Sequence, residues 1–440
     1  MSQSGPMDKI RLMVLDPAHF HAALVQKEMY SGVSPKVDVF APLGLDLADY
    51  LTRVARFNLR PDNPTSWQLE IHTGPEFLPR MAAEHPGNVV VMSGRNQAKI
   101  DRILKSVASG IHVLADKPWI LSSAGLPKLQ QALDLADSKG LIAFDIMTER
   151  FEITSILQRT LVNDPAVFGR LDPGSPSSPS IVMESVHRIM KTVAGVPNLR
   201  PPWFFDVHQQ GEALSDVGAH LVDLVQWISL PDQAIDFQSD IRVLAAKHWP
   251  TRISPDQWRR VTGTPDFPSF LSAIVRDGSL DYFCNNSVTY TLRGVHVHLD
   301  VLWDFEGPPP FDSHFARFRG SSSSIEVRQA AAENFQPEVY VVPASAELRS
   351  AVLLALRNRI AALPPGIDGI GVEDRGVEFK LTIPAKHRVG HEAHFAQVTR
   401  QFFEYLDNPR SLPAWEKPNM LAKYAVTTKG VELARAGDAR

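Results

Sequence analysis

Four stretches of the 440-residue chain carry side chains whose types and spacing suit chemistry. In VLADKPWI an apolar run ends at Ala115 and hands over Asp116, Lys117 and Pro118. Pro118 fixes its own φ and biases Lys117 towards an extended backbone, so a stiff segment places the ammonium where it can reach a bound substrate. An ordinary solvated lysine at a strand end is the alternative. In QGEALSDVGAHLVDLVQW, Leu214, Val217, Leu221, Leu224 and Ile228 form an apolar helical stripe, with Asp216, His220, Asp223 and Trp227 on an adjacent one. A carboxylate one turn before a histidine can orient the imidazole and tune it for general acid–base work. The competing reading is a helix-surface histidine beside its neighbouring aspartate. Gly211, just before, lets backbone come close to a ligand.

The third stretch, SVHRIMKTVAGVPNLRPPWFFD, holds His187, Lys191, Arg200, Trp203 and Asp206 in a Pro-rich segment expected to have little regular structure. Cations, an indole and a carboxylate suit a polyol or sugar acid; an interdomain loop with scattered charge is the alternative. The fourth, VHVHLDVLWDFE, places His296, His298 and Asp300 on one face of a strand. His-x-His can be a metal pair, but no third ligand stands at a recognisable spacing, so a polar sheet face and no metal are expected.

These groups need elements to hold them. Residues 1–150 alternate apolar strands (IRLMVL, KVDVF, NVVVMS, IHVLA, LIAFDI) with helices, including 18–30, 46–57 and a run ending at Gly110. That alternation predicts a doubly wound parallel sheet. Residues 151–440 read as a second α/β domain with an open, largely antiparallel sheet. Its C-terminal helices, within 391–435, are expected to pack back between the domains. Cys284 lies in a strand, LDYFCNNSVTYTL, and reads as a small core residue.

The turn after the first strand, VLDPAHFHAAL, lacks the glycine fingerprint of dinucleotide sites. Asp16, Ala18 and His21 occupy those positions, with His19 between. Asp16-Pro17 is a helix-start signal, an N-cap followed by proline at the first helical position. A carboxylate there satisfies the free N–H groups and repels a phosphate, whereas His19 and His21 could donate to an anion. No acid follows KVDVF at the place where one would bind ribose; Asp38 lies inside the strand.

A net charge of −4 gives no footprint for nucleic acid or an anionic membrane. No apolar run is long enough to span a bilayer, and the N-terminus lacks the features of an export signal. A single cysteine rules out an internal disulfide, and a cytoplasmic location is expected.

Taken together, NVVVMSGRNQAKIDRILKSVASGIHVLADKP, ADSKGLIAFDIMTERFEITSILQRTL, GEALSDVGAHLVDLVQW and GHEAHFAQVTRQFFEYLDNPRSLPAWEKPNMLAKYAV resemble the Gfo/Idh/MocA oxidoreductases nearly end to end. RPPWFFDVHQQGEALSDVGAHLVDLVQW and the WEKPNM tail resemble a divergent branch of that family. The resemblance implies that residues 1–150 are a Rossmann-like dinucleotide-binding domain and 151–440 a substrate-binding and oligomerisation domain. It implies NAD or NADP as cofactor and hydride transfer to or from a sugar, cyclitol or related polyol. Lys117 would polarise the reacting oxygen, His220 would act as acid–base, and Asp216 would hold substrate or orient His220. Cofactor contacts are implied at Asp16, Ala18, His19, His21, Ser93, Arg95, Asn96 and Asp116, and substrate contacts at His187, Lys191, Arg200, Trp203 and Asp206. Partners would be a small molecule and further copies of the chain through the C-terminal sheet. Two alternatives stay open: a redox-neutral enzyme on glycosides that recycles a tightly bound nicotinamide, and a catalytically silent sugar-binding regulator.

Overall fold

The computed structural model describes residues 9–193, 196–307 and 311–438. It divides into two compact units. The first comprises Met1–Thr148, Trp203–Gly211 and Glu392–Pro413; the second comprises Glu149–Pro202, Glu212–His391 and Ala414–Arg440.

The first unit is built on a six-stranded, wholly parallel sheet. Its strands are β1 (Leu12–Leu15), β2 (Lys36–Ala41), β3 (Gln68–Thr73), β4 (Val89–Met92), β5 (His112–Ala115) and β6 (Ala143–Asp145), in the order β3-β2-β1-β4-β5-β6. LMVL and VVVM are buried at every position, as strands covered on both faces must be. Helices α1 (His21–Val25), α2 (Leu45–Leu59), α3 (Phe77–Glu84), α4 (Lys99–Ala108) and α5 (Leu126–Ser138) connect them. Helix α4 runs down to Gly110 at φ +83°, the left-handed stop the sequence signals.

Two local expectations fail. QLEIHT forms β3, an edge strand outside the sequence expectations; its apolar Leu69 and Ile71 are not buried and its one buried residue is His72, so its apolar pattern does not mark burial. The helix expected over 18–30 covers only His21–Val25, and its N-cap is Phe20, not Asp16. Asp16 adopts φ +45°, and its N–H donates to the Phe40 carbonyl (2.9 Å), which ties it to β2. At the other end, the Tyr30 hydroxyl donates to the Val25 carbonyl (2.8 Å) and the Trp67 indole to that of Gln26 (2.7 Å). Those carbonyls would otherwise accept the next turn of helix, so the helix stops there.

The second unit begins with α6 (Ile153–Val162) and centres on a ten-stranded sheet. Its strands are β7 (Ile181–Arg188), β10 (Ile241–Ile253), β11 (Val275–Arg276), β12 (Ser279–Leu292), β13 (Val295–Asp304), β14 (Ser313–Arg319), β15 (Ser323–Gln329), β16 (Glu338–Pro343), β17 (Gly371–Asp374) and β18 (Phe379–Thr382). β8 (Thr192–Val193) and β9 (Val196–Pro197) pair separately. The main order is β10-β12-β13-β7-β14-β15-β16-β18-β17, antiparallel except where β13 meets β7. Val297, Leu299 and Val301 alternate inward on β13, and Cys284 is buried on β12, where burial pushes its thiol up to about 12. Helices α7 (Val217–Ser229), α8 (Pro255–Thr262), α9 (Arg349–Ala361) and α11 (Glu416–Asp438) belong to this unit, whereas α10 (His391–Asp407) falls almost wholly in the first. The α7 stripe of Leu214, Val217, Leu221, Leu224 and Ile228 is buried throughout.

Glu152, the N-cap of α6, makes stability depend on pH. Burial, reinforced by the charge of Glu149, pushes its carboxyl up to about 7. The folded chain therefore holds this proton more tightly than the unfolded one. The resulting stability is full below the ordinary glutamate range and is lost as pH rises through about 7. Glu152→Gln is expected to raise stability by about 1–3 kcal/mol near pH 8 and by little near pH 5, read from denaturant unfolding at both pH values.

Candidate functional site

At the carboxyl edge of the parallel sheet the β1 turn is fastened to the turn after β4. The Ala18 N–H donates to the Asp16 and Ser93 carbonyls (2.7 and 3.0 Å), and the Ser93 hydroxyl donates to the His19 carbonyl (2.7 Å). Gly94, at φ +83°, permits this closeness. A Cβ there would stand 2.9 Å from the His19 nitrogen and 3.0 Å from the Ala18 carbonyl carbon. A glycine in the neighbouring turn thus lets the two turns pack closely.

Asp16 is buried and neutralised from the side of α4, with Arg102 Nη1 at 2.7 Å and Arg95 Nε at 3.8 Å. Arg95 also donates to Asp46 (2.6 Å), which accepts from the Trp203 indole (3.0 Å). Ser93 and Asn96 are buried, and Asn96 donates to the Gln210 carbonyl (2.7 Å). Among the positions Ser93, Arg95 and Asn96, Arg95 keeps the exposed side chain, at 36%.

Asp116 lies beneath the turn. Lys99 donates to its carboxylate and to its carbonyl (2.9 Å), the Gly94 N–H reaches Oδ1 (3.3 Å), and His21 Nδ1 lies 3.0 Å from Oδ2. Burial alone would raise this carboxyl, but Lys99 and His21 hold it far below the usual range. Burial lowers Lys99 in turn. Lys117 follows at 7% exposure, joined to Pro118 by a cis peptide bond. Lys99, Arg102 and Asp46 were not singled out in the sequence. Lys99 alone left a signal, a lysine at the i−4 position of the apolar Ile103–Val107 stripe.

In the second unit the segment expected to be irregular is partly strand. His187 sits on β7, where its Nε2 lies 2.9 Å from the Ser185 hydroxyl and its Nδ1 3.0 Å from Asp312 Oδ2. Lys191 donates to the same oxygen (3.0 Å). Burial would raise Asp312, yet His187 and Lys191 hold it well below the usual range. Arg200 stacks over the Trp303 ring at 5.3 Å, and His187 approaches the same ring at 5.2 Å. His187 and Arg200 are therefore gathered at Trp303, and Lys191 is joined to His187 through Asp312. Trp203 and Asp206 belong to the first unit, where Asp206 closes its own turn through the His208 N–H (2.9 Å) and the Gln209 amide (3.0 Å).

His220 occupies the first turn of α7, buried, and Asp216 is the helix's N-cap residue. The stripe read from the sequence is split among different tasks. Arg150 clamps the Asp223 carboxylate with two bonds (2.6 and 2.7 Å), with Lys423 at 3.3 Å, and Trp227 carries the Arg159 guanidinium at 4.5 Å. On β13, His298 lies 3.1 Å from Asp300 and 2.9 Å from the Thr289 hydroxyl, a polar sheet face.

Residues 157–435 match the family described as "Putative oxidoreductase C terminal domain". The chain belongs to this oxidoreductase family. Its motifs resemble those of the Gfo/Idh/MocA oxidoreductases. A crystal structure of a "putative oxidoreductase" from Parabacteroides merdae is 42% identical over 99% of this chain and 100% of its own, with a TM-score of 0.93. Two more distant structures share the fold. GenD2 from gentamicin A biosynthesis, in complex with NAD, is 14% identical over 99% of this chain and 97% of its own, with a TM-score of 0.58. KijD10, a 3-ketoreductase from Actinomadura kijaniata in complex with TDP-benzene and NADP, is 16% identical over 97% of both chains, with a TM-score of 0.56. No curated protein matches the sequence.

Proposed function

We propose that this member of the oxidoreductase family transfers hydride between NAD or NADP and a sugar, cyclitol or related polyol. The observation that carries the reading is Lys117, a lysine kept 7% exposed at the carboxyl end of β5, in a chain of an oxidoreductase family. Ligands of doubly wound sheets bind at the carboxyl ends of the strands, and that position favours work on a bound oxygen over a solvated strand end.

The first turn fits a dinucleotide by charge rather than by backbone. The Ala18 N–H is spent inside the protein, on the Asp16 and Ser93 carbonyls, and α1 has five residues. Arg95, on the exposed side of the turn, and His19 are the groups that would meet pyrophosphate, with Asp16 and Asp46 already neutralised behind them. The family's nicotinamide supplies the hydride acceptor or donor when bound. In this reading Lys117 donates to the reacting oxygen, and His220 takes the hydroxyl proton during oxidation and returns it during reduction. Asp216 holds substrate or orients His220. Stacking on Trp303, with His187 and Arg200 beside it and Lys191 joined to His187 through Asp312, suits a hydroxylated ring. The same reading has copies of the chain associating through the ten-stranded sheet and places the protein in the cytoplasm. No helix among the described residues is long and apolar enough to cross a membrane.

The test is a panel of sugars, cyclitols and their keto forms offered with each nicotinamide, following the near-ultraviolet absorbance of the reduced cofactor. Turnover of at least one polyol–ketone pair supports the reading. Silence across the panel, with sugars stabilising the fold and dinucleotides not, would favour the binding-protein alternative.

A further inference from the structure

The sequence holds two His-x-His pairs, at 296–298 and at 19–21. The fold brings a third metal-type ligand to the second. Asp116, 95 residues beyond His21, places Oδ2 3.0 Å from His21 Nδ1 and 3.6 Å from His19 Nδ1. The three ligand atoms lie within 4.8 Å of one another. Two atoms each about 2.0–2.2 Å from one ion, at angles between octahedral and somewhat beyond tetrahedral, stand about 3.0–3.6 Å apart. The two nitrogen-to-oxygen separations fall in that span. We propose that the turn after β1 is a divalent transition-metal site, with His19 Nδ1, His21 Nδ1 and Asp116 Oδ2 as its protein ligands.

The surroundings favour such an ion. Lys99 and the Gly94 N–H hold Asp116 by its other oxygen, Oδ1, which leaves Oδ2 directed at both imidazoles and fixes the carboxylate plane. The two rings meet edge to face with centroids 4.0 Å apart, so both nitrogens converge on the oxygen from different directions. His21 is further packed against Phe395, centroids 4.8 Å apart, which restricts its ring before any ion arrives. Two imidazoles and one carboxylate leave coordination positions open for water or an oxygen ligand, the donor set of zinc, cobalt and iron(II) sites. Without the ion, an imidazole proton bridges His21 and Asp116. Binding releases protons from the nitrogens, so affinity falls as pH drops below the imidazole range.

A second cluster, Asp38, Glu70 and His72, supplies the internal control. It offers one imidazole where the first cluster offers two, and Asp38 is engaged by Arg11 (2.8 Å) and His72 (2.9 Å).

The proposal goes beyond the dehydrogenase reading and does not depend on it. The experiment titrates zinc chloride and cobalt chloride into the chelator-stripped full chain by calorimetry, with visible absorption of the cobalt form. One ion per chain is expected, with a dissociation constant of about 1 μM or below. His19→Ala and His21→Ala should each weaken it at least about tenfold, and His72→Ala should leave it unchanged. Absence of stoichiometric binding by the native chain, wild-type affinity in a folded His19→Ala chain, or loss of binding in a folded His72→Ala chain would overturn the proposal. Should His21→Ala fail to fold, His19→Ala decides alone, because its ring is the most exposed of the three ligands, at 14%. NAD(H) and NADP(H) titrated into the same stripped chain report the dinucleotide reading separately.

Discussion

Replacing Lys117 by alanine is expected to lower turnover by a factor of about 10²–10⁴ while leaving dinucleotide affinity within about threefold. The backbone at this point is set by β5 and by Pro118, neither of which the substitution touches. Lys117 depresses Lys99, so its removal lets Lys99 pair with Asp116 more comfortably. The fold should therefore survive, and the deficit should appear in kcat rather than in the Tm. Lys117→Arg is not expected to rescue, because a planar guanidinium does not reproduce a compact ammonium donor. Steady-state kinetics beside a dinucleotide titration read both quantities. A variant that binds cofactor and turns over like the native protein would return Lys117 to the status of a strand-end lysine.

The largest stability effect is expected at Lys99. This side chain is 1% exposed and pairs with Asp116, itself buried beneath the first turn. Lys99→Met keeps the volume but leaves a carboxylate buried without its main counter-charge. Breaking such a pair from one side costs about 3–5 kcal/mol. Lys99→Met combined with Asp116→Asn should recover the greater part, since no uncompensated charge remains. Denaturant unfolding of the native chain, the single variant and the double variant closes this comparison. Equal losses in the single and double variants would show that packing, rather than charge, dominates there.

Strand–helix alternation in the first 150 residues and strand alternation beyond about 236 were enough to read the architecture. Buried strands such as LMVL and VVVM, and inward runs such as Val297-x-Leu299-x-Val301, carry their burial in their composition. Strand β3 escaped because an edge strand need bury little. The local signal at Asp16-Pro17 was overridden by tertiary contacts, with the Phe40 carbonyl and Arg102 claiming groups that a helix start would have used. Candidate site residues could be nominated where a motif is contiguous, as in Asp116-Lys117-Pro118, which stands at the end of β5. They were illegible where partners come from distant segments, as with Lys99 and Asp116, His187 and Asp312, or Arg150 and Asp223. The helical stripe of Asp216, His220, Asp223 and Trp227 had the right spacing, but spacing on one helix does not reveal which side chains other elements will claim.

The central claim is that this chain uses a nicotinamide cofactor although its first turn has no glycine fingerprint. Calorimetric titration of NAD, NADH, NADP and NADPH into the purified full-length protein tests it most directly. The account predicts that at least one binds one per chain with a dissociation constant of about 1–100 μM, and that Arg95→Ala weakens it about tenfold or more. If none of the four binds at about 1 mM, the dehydrogenase account is contradicted.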